Sequence, residues 1–119
     1  MLLGLKANLM ARQNVFAYRI NSNEALALST TSAQSGTTPF GCNVARVAAH
    51  STAGGPLSFI KVGSNPTALS DGTSMFIHEE SDFYITVKPD SSPGSADGDK
   101  IAGITSSGNS NVYITWLEG

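Results

Sequence analysis

Apolar and polar residues alternate at a period of two over much of the chain. In residues 83–88, Phe83, Ile85 and Val87 fall on one side and Tyr84, Thr86 and Lys88 on the other. Successive side chains of an extended strand point to opposite faces of a sheet, so this spacing predicts a half-buried strand. Val112, Ile114 and Trp116 repeat the pattern around Tyr113 and Thr115, and a short apolar run, residues 100–104, lies between. Together the three segments predict a sheet with one apolar face, which a second layer must cover.

The same reading extends upstream. Residues 13–20 predict a strand, with Phe16, Tyr18 and Ile20 on one face and Val15, Ala17 and Arg19 on the other. Asn21, Ser22 and Asn23 predict a turn, because Asn and Ser bond to local backbone and Asn tolerates positive φ. Residues 24–28 then return as a hairpin partner or a short helical turn. Residues 29–39 read as a surface loop, and residues 43–50, 57–62 and 75–78 as further strands. A Gly-Gly turn at Gly54 and Gly55, a breaker at residues 63–67 and a turn at residues 79–81 separate them. Short strands at this spacing, with no helical periodicity, predict an all-β fold. The expected architecture is a single antiparallel β-sandwich or jelly roll of about eight short strands, spanning residues 13–119.

Residues 1–12 form an extended N-terminal arm in this reading. Leu2, Leu3, Leu5, Leu9 and Met10 make it apolar, but it is too short and too irregular for a helix. Gly4, Lys6 and Asn8 interrupt the apolar run, so it reads as mature sequence and not as a signal peptide. It is expected to dock on its own domain or on a neighbouring subunit.

Composition narrows the functional classes. Charged residues make up 13% of the chain, against roughly 25% in average soluble domains. The formal net charge is −2 and the seven basic residues are scattered, which argues against a nucleic-acid partner. No apolar stretch approaches the ~20 residues a membrane helix needs, so no membrane partner is expected. With one cysteine, Cys42, neither an intrachain disulfide nor a paired-cysteine metal site can form. Cys42 is expected to be a small buried hydrophobe.

Catalytic chemistry finds little support. His50 and His78 are the only histidines, and the chain has no Gly-x-Ser-x-Gly elbow. His78, Glu79 and Glu80 lack the second His of a metalloprotease motif. A small hydrolase is carried only as a third reading, with no catalytic residue, metal or cofactor assigned. Asp90, Asp97 and Asp99 in one loop could gather around Ca²⁺, but their spacing does not match a calcium loop, and a plain solvated loop is expected. Trp116 shares a face with Val112 and Ile114 and is expected in the core. Tyr84 and Tyr113 lie opposite the apolar faces of their strands and are candidates for an exposed aromatic patch.

One ordered set of segments is more specific. Val44-Ala45-Arg46-Val47-Ala48-Ala49 is followed by Gly54-Gly55-Pro56 and by Phe59-Ile60-Lys61-Val62-Gly63-Ser64-Asn65-Pro66-Thr67-Ala68. Ser70-Asp71, the strand at residues 83–87, Gly98-Asp99-Lys100-Ile101-Ala102 and a closing strand at residues 112–116 complete it. This order resembles small β-sandwich virion structural proteins of tailed bacteriophages, some of which look like capsid decoration (cement) proteins. The likeness covers residues 43–119 and departs at residues 89–98, where the related sequences pass quickly into Pro-Gly-Asp-Lys.

The resemblance implies a non-enzymatic virion component on the capsid surface. Its partners would be the major capsid protein and itself, as a homotrimer. The expected contact residues are Leu2, Leu3, Leu5, Leu9 and Met10, with Phe16 and Tyr18 next. The alternative is a carbohydrate- or receptor-binding module of a virion, a head fibre or tail-associated adhesion domain, using Tyr84 and Tyr113.

Overall fold

The computed structural model describes residues 18–50, 57–77 and 81–118. These form eight strands and no helix: β1 (Arg19–Leu28), β2 (Ala33–Gln34), β3 (Val44–His50), β4 (Ser58–Gly63), β5 (Met75–Ile77), β6 (Asp82–Thr86), β7 (Lys100–Thr105) and β8 (Ser110–Glu118). They pair into two four-stranded antiparallel sheets, ordered β1-β8-β3-β6 (sheet A) and β2-β7-β4-β5 (sheet B). Consecutive strands switch sheet at every step except β4 to β5. This is the eight-stranded jelly roll, in which two Greek keys fold over one another.

The alternation in the sequence becomes the inner face of each sheet. Ala45, Val47 and Ala49 of β3, Val112, Ile114 and Trp116 of β8, and Leu26 and Leu28 of β1 point inward from sheet A. Ile60, Ile77 and Ile101 meet them from sheet B. Trp116 is 2% exposed and Cys42 fully buried, both as expected. At one end of this core the hydroxyls of Ser58 and Ser110 bond across the two sheets at 2.9 Å, satisfying two buried polar groups with each other.

Four expectations are overturned. Asn21, Ser22 and Asn23 make no turn; β1 runs straight through them, and its pairing with β8 slips by one residue between Ile20 and Ser22. The extra residue is a β-bulge, a device that lets an edge strand bend without ending. Residues 24–28 are therefore the continuation of β1, neither a returning hairpin strand nor a helical turn. The segments near residues 83–88, 100–104 and 112–116 do not share a sheet either. β6 and β8 flank β3 in sheet A, while β7 lies in sheet B. Residues 29–39, read as loop, also contain β2, a two-residue edge strand on β7.

β7 is buried on both faces. Ile101 enters the main core, whereas Ala102 and Ile104 face outward and pack against Ala68, which is fully buried. The loop that carries Ala68 lies over the outer face of sheet B. Its main chain is held by Ser32 Oγ, which accepts from the Ala68 amide at 3.0 Å. Gln34 Nε2 donates to Asn65 Oδ1 at 2.9 Å and to the Pro66 carbonyl at 2.7 Å.

Candidate functional site

Two exposed surfaces stand out, one on the outer face of each sheet. On sheet A the residues between the inward-pointing ones form rows across the strands. Asn23, Thr115, Arg46 and Tyr84 make one row, and Ala25, Tyr113, Ala48 and Asp82 the next. Tyr84 is 58% and Tyr113 46% exposed, as the alternation foretold. Arg46 bridges the rows: its Nε and Nη2 both donate to Asp82 Oδ2, at 3.0 and 2.6 Å. At this exposure such a pair adds little to stability, but it fixes the direction of both groups.

The structure separates the two tyrosines by environment. Tyr84 is stacked on Tyr18, with ring centroids 6.0 Å apart and planes at 24°. Tyr113 instead lines a shallow, open groove of about 470 Å³ with Arg46, Ala48, Ala49, His50, Ser81 and Asp82. Its cross-strand neighbours on both sides are alanines, Ala25 and Ala48. Methyl groups are too short to cover a phenol ring, so Tyr113 stands clear of the sheet. Sequence reasoning found Tyr113 but not Arg46, His50 or Asp82 as its companions. Only the antiparallel register brings these three strands side by side.

On sheet B the exposed surface is largely apolar, with Lys61 at its side. Phe59 lies opposite Phe76 on one side and Ile104 on the other. The two phenyl rings pack at 5.6 Å with a 60° tilt, a favourable arrangement for aromatic pairs. Leu57, two residues before Phe59 and on the same face, is exposed; Met75 is exposed too, but it pairs with the buried Ile60 and so lies on the inner face at the edge of the sheet. Leu69 joins Ile104 and Ala68 in a second depression of about 380 Å³, completed by Thr31, Ser32, Gln34, Pro66 and Thr67.

The acidic loop is more tightly built than the plain solvated loop expected. Asp90 is buried, and its Oδ1 accepts from the Gly98 amide at 2.7 Å. Asp97 accepts from the Ser91 amide at 2.8 Å and from the hydroxyls of Ser91 and Ser95, each at 2.6 Å. These bonds hold its carboxyl far below the usual range. Asp99 accepts from the Lys88 amide at 2.9 Å. The three carboxylates thus each tie down backbone. Among the described residues, no group of three or more His, Cys, Asp or Glu side chains is placed to hold a metal ion.

Leu2, Leu3, Leu5, Leu9, Met10 and Phe16 lie outside the described residues, as do His78, Glu79, Glu80 and the Gly54-Gly55-Pro56 turn. Tyr18 is described and half exposed, with its ring against Tyr84. No helix among the described residues is long and apolar enough to cross a membrane. In comparison with known proteins, the chain matches no family model, no curated protein and no solved structure.

Proposed function

We propose that the chain is a non-enzymatic virion structural protein, a decoration protein that seats on the outer capsid lattice of a tailed bacteriophage. The observation that carries this reading is the apolar outer face of sheet B. Phe76, Leu57 and Leu69, with the half-buried Phe59 between them, form a surface that a free subunit leaves in water, and contiguous exposed apolar surface marks association sites. The low charge of the chain, 13%, suits a protein largely surrounded by neighbours. The likeness of residues 43–119 to virion β-sandwich proteins supplies the kind of neighbour, the major capsid protein.

The mechanism is burial. A stable interface removes about 1,600 Å² from water, more than these few side chains provide. The remainder comes from the arm, with Leu2, Leu3, Leu5, Leu9 and Met10, and from contacts between copies in a homotrimer.

Co-sedimentation with heads of the encoding phage assembled without this chain tests the proposal. The wild-type chain pellets with the heads. Leu57→Ser with Phe76→Ser weakens attachment, and removal of residues 1–12 weakens it further, while light scattering reports a trimer. Undiminished attachment of both altered chains overturns the reading.

A further inference from the structure

We infer that the groove beside Tyr113 on the outer face of sheet A is a binding site for a neutral pyranoside, such as the terminal sugar of a surface oligosaccharide. The inference stands on the opposite face of the sandwich from the surface assigned to the shell and does not depend on that assignment.

A pyranose ring offers two kinds of surface, an apolar face of C–H groups and an edge of neighbouring hydroxyls. The groove offers a match for each. Tyr113 rises between Ala25 and Ala48, so its ring face is open to an apolar ligand face. Asp82 lies two strands away in the same row, about 10 Å at ordinary strand spacing. It presents a carboxylate acceptor beside the guanidinium donors of Arg46. Because both Arg46 contacts converge on one oxygen, Oδ2, the pair turns a mixed donor and acceptor edge toward the groove. Adjacent hydroxyls, each both donor and acceptor, complement such an edge. His50 and Ser81 add polar lining.

Two features select the ligand class. The charges of Arg46 and Asp82 cancel locally, which favours a neutral ligand over a phosphate or a carboxylate. The groove of about 470 Å³ falls within the ~300–1,000 Å³ of small-molecule sites, yet it is shallow, which suits the end of a chain more than an enclosed metabolite. Tyr84 is not part of this site, since its ring is engaged by Tyr18.

The test is a titration of ¹⁵N-labelled protein with the methyl glycosides of glucose, galactose and N-acetylglucosamine and with their β-linked disaccharides. At least one probe shifts the amide resonances of Ala48, His50, Asp82 and Tyr113 together. Tyr113→Ala weakens that probe about tenfold or more, Tyr113→Phe holds it within about threefold, and Asp82→Asn weakens it with stacking intact. Tyr84→Ala, outside the groove, leaves it unchanged. The ¹⁵N spectrum itself reports that each variant is folded. Absence of shifts at these residues with every probe, or equal affinity in Tyr113→Ala, overturns the inference.

Discussion

Tyr18 stacks on Tyr84 although the two belong to opposite edges of the same four-stranded sheet. Tyr18 immediately precedes β1, Tyr84 lies at the middle of β6, and β8 and β3 run between them. The stack reaches across the outer face of the sheet. Tyr84→Ala removes it from a solvent-facing position, so the expected loss is small, about 0.5–1 kcal/mol, read as a lower urea midpoint. Tyr84→Phe keeps the ring and is expected to match the wild-type midpoint.

Two glycines are expected to resist replacement for different reasons. A Cβ at Gly98 would lie 2.7 Å from the Asp90 amide nitrogen and 2.8 Å from both Asp90 Oδ1 and the Thr38 carbonyl oxygen. Backbone cannot step aside, and the bond from Gly98 to Asp90 is lost with it. A Cβ at Gly103 would meet the end of the Leu28 side chain, which has rotamers to use. Gly98→Ala is expected to cost about 3 kcal/mol and Gly103→Ala about 1–2 kcal/mol, measured by chemical denaturation.

Acid is expected to loosen the loop between β6 and β7. Asp97 has its folded-state carboxyl pushed down by the Ser91 and Ser95 hydroxyls and then by the Ser91 amide. Asp71 is lowered in the same sense by the hydroxyl and amide of Thr73. A depressed folded value means that the stabilising contribution is complete above the unfolded value, about 3.9. It is lost progressively as pH falls below that point toward the folded value. Urea midpoints compared at pH 7 and below about pH 4 therefore fall less in Asp97→Asn than in the wild-type chain.

Cys42 is expected to be silent toward thiol reagents. Desolvation raises its thiol, and the negative charge of Glu118 raises it further. Only the thiolate reacts, and this side chain is fully buried. Labelling by an aromatic disulfide at neutral pH should follow the opening rate of the fold, and become immediate in denaturant.

Much of this fold was legible where one face of a strand meets the core. β3, β4, β6 and β8 show their inward residues at every second position because burial imposes that spacing. Legibility failed where burial does not act alone. Asn21, Ser22 and Asn23 lie on an exposed edge strand with a bulge, so their turn-forming chemistry had no apolar alternation to oppose it. The run around Ile101 and Ile104 was recognised as a strand but placed in the wrong sheet, since residues that pair in a jelly roll are distant in sequence. The groove shows the same division. Tyr113 was visible from its position opposite Val112 and Ile114. Arg46, His50 and Asp82 look like ordinary surface residues until the register aligns β3, β6 and β8.

The position of β8 between β1 and β3 has a consequence for how the chain reaches this fold. Among the described residues, the only strands paired with their immediate sequence neighbour are β4 and β5, and every other ladder joins distant segments. A ribosome delivers β1 and β3 long before it delivers residues 110–118, so the two wait without the strand that belongs between them. Completing sheet A therefore waits on pairing between segments distant in sequence. Such topologies fold in milliseconds to seconds, with Val47 and Leu26 exposed to whatever else is nearby in the meantime.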